Sequence, residues 1–96
     1  MGAAKQNIEK DPMSNGSRGL SGIVETFIDN YFKAHEGLTP TSGLYDRVIQ
    51  EVERPLLKAT LKSVRGNQKK AAEILGINRN TLRKRLTELQ IDLSEL

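Results

Sequence analysis

Residues 67–90 of the chain read NQKKAAEILGINRNTLRKRLTELQ, and this stretch decides the fold. Asn67 and Asn78 each precede an apolar helical pattern, and asparagine is a preferred helix N-cap. Gly76 lies between the two patterns and can adopt the positive φ that ends a helix. The stretch therefore predicts a short helix after Asn67, a tight turn at Gly76 and a second helix that begins at Asn78 and ends near Leu89. This geometry is a helix-turn-helix.

Small and apolar residues in this stretch predict how the two helices pack. Ala71 and Ala72 allow the first helix to approach the second closely, where bulky side chains would keep the two apart. Six further apolar residues at helical spacing are expected to face inward and to hold the pair against the rest of the protein. They are Ile74, Leu75, Ile77, Leu82, Leu86 and Leu89.

The charge of this region differs from that of the rest of the chain. Residues 65–85 contain seven bases and one acid, whereas residues 21–54 contain six acids and three bases, within a net charge of +3. A basic run is usually only a solvated face. Here it coincides with a helix-turn-helix, so we expect it to contact the phosphates of DNA.

The residue types on the exposed side of the motif favour double-stranded DNA as the partner. Arg79 and Arg83 lie one helical turn apart, and arginine there can bind guanine O6 and N7 in the major groove, while asparagine can pair with adenine or with phosphate. The start of the preceding helix offers free N–H groups that suit a phosphate. The expected DNA-binding residues are Asn67, Gln68, Lys69, Lys70, Asn78, Arg79, Asn80, Arg83 and Lys84.

Apolar residues at helical spacing predict two further helices upstream. The first begins at about Leu20 and is followed by a loop that reaches about Gly43, because Gly37 and Pro40 break the pattern. Residues 1–19 are polar and glycine-rich without apolar periodicity, which predicts a flexible tail or linker.

The second upstream helix is predicted from Leu44 to about Val64. Pro55 within it leaves the carbonyl of Glu51 without its helical donor, so we expect a kink. The alternative is a pair of separate helices divided at Arg54.

This long helix is apolar around more than one face, and a short chain has little interior in which to bury both. Either the C-terminal helices cover both faces or a second copy covers one. We favour a homodimer in which residues 20–64 supply the dimerisation helices. The predicted interface residues are Val24, Phe27, Ile28, Tyr31, Tyr45, Val48, Val52 and Leu56.

The composition argues against several other classes of protein. The chain has no cysteine and a single histidine, His35, so we expect neither a metal site nor a catalytic dyad, and no cofactor. Phosphate-binding loops and paired carboxylate sites are also missing from the sequence, which argues against an enzyme. Apolar runs fall short of the roughly 20 residues that span a bilayer, so we expect a cytoplasmic protein.

Five motifs carry a resemblance to a known family: LYDRV at 44–48, VERPLL at 52–57, RGNQ at 65–68, AA at 71–72 and GINRNTLRK at 76–84. These motifs resemble the Fis family, including the Fis-type C-terminal domain of the bacterial nitrogen regulatory protein NtrC. The resemblance implies an all-α, four-helix domain over residues 20–96 with a C-terminal helix-turn-helix at 67–90. It also implies an intertwined homodimer that bends DNA. The contacts it implies are those of Asn67, Gln68, Asn78, Arg79, Thr81, Arg83 and Lys84.

The function expected from these observations is that of a sequence-specific transcription regulator, most similar to the NtrC DNA-binding domain. Receiver and ATPase domains of a parent regulator would then be further partners. A stand-alone, nucleoid-associated protein of Fis type is the alternative, although residues 1–22 lack the strand pattern of the Fis β-hairpin. A helical adaptor whose basic face serves only solubility is a more remote one.

Overall fold

The computed structural model describes residue 13, residues 19–36 and residues 42–96. Over these residues the chain is all-helical, with no β-strand, as the sequence predicts. The elements are α1 (Leu20–Ala34), α2 (Leu44–Ser63), α3 (Gln68–Leu75), α4 (Arg79–Glu88) and a short 3-10 helix (Leu93–Glu95). The predicted tail over residues 1–19 and the predicted loop before Gly43 lie almost entirely outside the described residues.

The described residues fall into two units, one within Met1–Thr41 and one within Ser42–Leu96. The first contains α1, which has no buried residue. At the C-terminal end of α1, Nδ1 of His35 lies 2.7 Å from the carbonyl oxygen of Tyr31. The rings of the two residues are tilted by 32°, with centroids 4.2 Å apart. His35 therefore caps the helix, which is a structural use of the only histidine in the chain.

The second unit is organised around α2, which is one continuous helix with Pro55 inside it. The alternative of two helices divided at Arg54 is therefore wrong. The N-terminal half of α2 has no buried residue, whereas Leu57 and Leu61 in its C-terminal half are buried. Only this second half contributes to the core of the unit.

The core joins the second half of α2 to α3 and α4. Its buried residues are Leu57, Leu61, Ala71, Ala72, Leu82, Leu86 and Leu89, with Val64, Leu75, Ile91 and Leu96 packed against them. Ala71 and Ala72, which are predicted to let α3 approach α4 closely, are both buried in this core. The predicted inward position of Leu82 and Leu86 of α4, and of its C-cap residue Leu89, is confirmed as well.

Two residues predicted to face inward do not. Ile74 is 63% exposed and Ile77 is 37% exposed. The inward face of α3 is defined by Ala71, Ala72 and Leu75. At 100° per residue, the side chain of Ile74 lies about 100° away from the centre of that face.

Helices α2, α3 and α4 end in the same way. In each, a left-handed residue follows the last turn and the next N–H returns to a carbonyl five residues earlier, which is the Schellman arrangement. The bonds are Gly66 N–H to Leu61 O (2.8 Å), Ile77 N–H to Ala72 O (3.1 Å) and Ile91 N–H to Leu86 O (3.0 Å). The left-handed residues are Arg65 (φ 57°), Gly76 (φ 75°) and Gln90 (φ 56°). The predicted role of Gly76 is confirmed, while the other two helices use residues with a side chain.

Candidate nucleic-acid interface

Both predicted helix caps of the helix-turn-helix are present. Oδ1 of Asn67 accepts a hydrogen bond from the N–H of Lys70 at 3.1 Å, at the start of α3. Oδ1 of Asn78 accepts one from the N–H of Asn80 at 2.7 Å, at the start of α4. These local bonds set where each helix begins, and they use only the amide oxygen of each asparagine. The amide NH₂ groups remain available as donors to a ligand.

The ten predicted DNA-binding residues occupy the start of α3 and the first half of α4. All are exposed except Gln68, which is half-buried. Gln68 of α3 and Arg83 of α4 border one shallow groove together with Leu86, Thr87, Ile91 and Leu93. The fold therefore brings the two helices' predicted contacts onto neighbouring surfaces, and their role in DNA binding stays a prediction.

Buried leucines explain why these side chains point outward. Leu82 and Leu86 occupy one face of α4 and are fully or almost fully buried. Because side chains one turn apart share a face, the residues between them in sequence are directed away from the core. Arg83 and Lys84 are therefore presented to solvent, and Arg79 is exposed at the first position of the helix.

Arg85 differs from the other bases of the segment. Its Nε donates to Oε2 of Glu53 at 2.7 Å, its Nη2 pairs with Oε1 of the same carboxylate, and its Nη1 pairs with Glu88. The hydrogen bond from Arg85 lowers the pKa of Glu53, and the bond to Glu53 raises the pKa of Arg85. Both groups are charged at neutral pH, so Arg85 is engaged in an internal ion pair.

A second side chain ties α2 to the end of α4. Nη2 of Arg54 donates to the carbonyl oxygen of Leu89, the C-cap residue of α4, at 3.2 Å. Sequence reasoning missed both Glu53 and Arg54, because each partner lies more than thirty positions away along the chain. The only sequence signal for the pair of Glu53 and Arg85 was the difference in charge: residues 21–54 are mostly acidic, whereas residues 65–85 are mostly basic.

In the part of the chain that the structure describes, no group of three histidine or acidic side chains is positioned to hold a metal ion. The described helices include none that is long and apolar enough to cross a membrane.

Comparison with known proteins identifies the family. The profile of the "Bacterial regulatory protein, Fis family" matches residues 48–89. A DNA-binding transcriptional regulator NtrC of Azospirillum brasilense is 55% identical over 75 residues, which are 78% of this chain and 16% of that regulator. A Fis-like DNA-binding protein of Pseudomonas aeruginosa is 47% identical over 75% of this chain and 68% of its own length.

The DNA-binding protein Fis of Glaesserella parasuis is 45% identical over 72% of this chain and 69% of its own length. The chain thus spans less than a fifth of the NtrC regulators that it matches, and about two thirds of these two Fis-type relatives. Since similarity of this level extends over most of proteins that are themselves of Fis type, the chain belongs to the Fis family of bacterial regulatory proteins.

Proposed function

We propose that this chain binds specific sequences of double-stranded DNA as a homodimer and regulates transcription there. Membership of the Fis family, together with relatives named for DNA binding, makes the chain a DNA-binding transcription regulator. The proposal adds how it binds. The observation that carries it is the set of exposed basic and amide side chains in the first half of α4, a helix that is held in place by its buried leucines.

In this proposal the N-terminal half of α4 enters the major groove. Arg79 is the first residue of the helix and Arg83 lies one turn later, both exposed. A recognition helix that enters the groove by its N-terminal end directs such side chains at base edges. Arginine can bind guanine O6 and N7 with two hydrogen bonds, and this pairing distinguishes guanine from the other bases.

The start of α3 is proposed to bind the phosphate backbone. Asn67 caps the N–H of Lys70, while the N–H groups of Gln68 and Lys69 have no helical acceptor because of their position in the first turn. These N–H groups and the side chains of Lys69 and Lys70 provide donors and positive charge for one phosphate. Such contacts fix the position of the protein on the duplex without reading its sequence.

A second copy of the chain is proposed to cover the apolar residues that the single chain leaves accessible. None of the eight predicted interface residues is buried, and Phe27 and Tyr45 are 68% and 77% exposed. Aromatic side chains of this exposure are typical of interaction surfaces rather than of a monomer's exterior. A dimer also places two recognition helices on one duplex, where the distance between them selects the spacing of half-sites and favours bending of the DNA.

Two settings fit this function. In one, the chain acts with receiver and ATPase domains of an NtrC-type regulator, which the 55% identity to such a protein supports. In the other, it acts as a stand-alone, Fis-like protein on the nucleoid, which the coverage of about two thirds of two Fis-type relatives supports. Either setting puts the chain in the bacterial cytoplasm.

The test is a titration of the protein against a fluorescent duplex selected by the protein from a random pool, and against a shuffled duplex of the same composition. Each titration is repeated over a series of salt concentrations. Contacts to several phosphates require the affinity to fall steeply as salt rises, and direct recognition requires tighter binding to the selected duplex. Weak binding with little salt dependence would instead favour the helical adaptor.

A further inference from the structure

We propose that Glu53 is a positioning residue for α4: through Arg85 it fixes the orientation of the recognition helix, and so sets discrimination between DNA sequences without touching DNA. The proposal rests on the proposed recognition of DNA by α4. It concerns residues outside the ten expected DNA contacts. Its basis is the geometry by which α2 holds the C-terminal end of α4.

The carboxylate of Glu53 and the guanidinium of Arg85 form a bidentate ion pair. Nε bonds Oε2 at 2.7 Å and Nη2 bonds Oε1, so the planar fork of the arginine matches the planar carboxylate. The side chains are 21% and 31% exposed, so solvent and salt screen this pair less than a surface pair. Such a pair fixes direction as well as distance.

The neighbouring residue of α2 provides a second tie. Arg54 donates to the carbonyl oxygen of Leu89 at 3.2 Å, one helical turn beyond Arg85. Two adjacent residues of α2 therefore bind two successive turns at the end of α4. An arginine at this position also satisfies a carbonyl that lacks a helical donor at the helix C-terminus.

The remaining contacts between α4 and the core are apolar. Leu82, Leu86 and Leu89 are buried there. Burial of apolar surface is non-directional, so it resists separation of α4 from the core more strongly than small rotations about the helix axis. The hydrogen-bonded pair of Glu53 and Arg85 adds a directional contact, which resists the rotations that the leucines permit.

A small rotation of α4 matters because base contacts tolerate little displacement. At a side-chain radius of about 6 Å, a rotation of about 10° moves the tip of an arginine by about 1 Å. Hydrogen bonds to a base edge are confined to about 2.7–3.2 Å, so Arg79 and Arg83 would lose their two-bond geometry. Contacts of flexible lysines to phosphates tolerate the same displacement, because they act mainly through charge.

The chain offers a matched pair of variants to test this. Glu53→Gln and Glu88→Gln each remove one carboxylate bound to Arg85, and each changes the net charge by the same amount. Of these two carboxylates, only that of Glu53 joins α4 to α2, because Glu88 lies three residues from Arg85 on α4 itself. Both variants are titrated against the selected duplex and the shuffled duplex at one salt concentration, below their melting temperatures.

We expect Glu53→Gln to reduce the ratio of the two affinities about tenfold, mostly through weaker binding of the selected duplex. Glu88→Gln should leave that ratio within about twofold of the wild type. Arg85→Lys provides a second variant that keeps the charge but loses the planar fork, and it should reduce the ratio while binding shuffled DNA as the wild type does.

Equal ratios in all three variants and the wild type would overturn the proposal and leave Glu53 a purely stabilising residue. A loss in Glu88→Gln as large as in Glu53→Gln would also overturn it, because charge alone would then be the cause. A wild type that binds both duplexes equally would refute the proposed function itself, and the positioning role with it.

Discussion

Oδ1 of Asn67 accepts a hydrogen bond from the N–H of Lys70 at 3.1 Å, so a residue expected to contact DNA also caps α3. The two roles use different atoms of one side chain, because the cap needs only an acceptor oxygen. A substitution can therefore separate them. Aspartate keeps an oxygen at the capping position, whereas alanine removes it.

The first prediction follows from this separation. Asn67→Ala should reduce the free energy of unfolding by about 1 kcal/mol through loss of the cap. Asn67→Asp should be as stable as the wild type, since a carboxylate is favoured at a helix N-terminus, but it should bind DNA more weakly because its charge is repelled by phosphate. Urea denaturation and duplex titration measure the two effects. An aspartate variant with wild-type affinity would show that Asn67 only caps the helix.

The second prediction concerns the left-handed residue after α4. Gln90 has φ 56°, a conformation that costs a residue with a side chain about 1 kcal/mol and glycine almost nothing. Gln90→Gly should therefore raise the free energy of unfolding by about 0.5–1 kcal/mol in urea denaturation. Gln90→Ala is the matched control and should give little gain, because alanine retains the Cβ that causes the strain.

The helix boundaries of the C-terminal region could be predicted because their determinants are local. The oxygens of Asn67 and Asn78 bond N–H groups two or three residues along the chain, and Gly76 adopts the expected positive φ. The buried face of α4 could be predicted for a similar reason: Leu82 and Leu86 define it by helical spacing alone. Such rules need no knowledge of distant residues.

Features that depend on tertiary packing could not be predicted in this way. Arg85 looked like one more base on α4, and only the fold reveals Glu53, thirty-two residues earlier, as its partner. Ile74 looked like a core residue, but the short helix α3 has room for a single narrow inward face. Arg65 and Gln90 adopt the left-handed conformation although neither is glycine, so the residue type gave no signal for it.

The third prediction is a pH dependence of stability. Since the bond from Arg85 lowers the pKa of Glu53 below its usual 4.5, this carboxylate stabilises the fold above about pH 4.5. The contribution disappears as the pH falls through the lowered pKa in the folded state. Denaturation of the wild type and Glu53→Gln should differ by about 1 kcal/mol at neutral pH, and the difference should shrink in acid.

Asp92 does not disturb this comparison. Hydrogen bonds from Ser94 lower the pKa of Asp92, so it contributes an acid-dependent term of the same sign. That term is present in both proteins and cancels in their difference. A difference that stays constant from neutral pH down to strong acid would show that the Glu53 carboxylate is not the titrating group.

The fourth prediction tests the dimer. Phe27→Asp places a charge in the proposed apolar interface, where it has no partner, and should convert a dimer to a monomer at micromolar concentration. Thr26→Asp is the matched control, because it adds the same charge to an exposed neighbouring position of α1 outside the predicted interface. Sedimentation equilibrium distinguishes the two. A folded wild-type monomer at micromolar concentration, or equal dissociation of both variants, would contradict the interface.

The last prediction separates two bases by what they contact. Arg79 begins α4, where the helix is proposed to enter the major groove, and Lys70 lies in the first turn of α3 beside the proposed phosphate site. Arg79→Ala should cost about 1–3 kcal/mol on the selected duplex and much less on shuffled DNA, because only the former offers the base edge that the guanidinium binds.

Lys70→Ala should weaken both duplexes by a similar factor and reduce the slope of log affinity against log salt by about one, because one phosphate contact is lost. The cap of α3 survives this substitution, since Asn67 bonds the main-chain N–H of Lys70 and not its side chain. All titrations require the same salt series, because the phosphate contribution varies steeply with ionic strength. Equal weakening of both duplexes by Arg79→Ala would mean that this arginine contacts only phosphate, and direct recognition through it would be refuted.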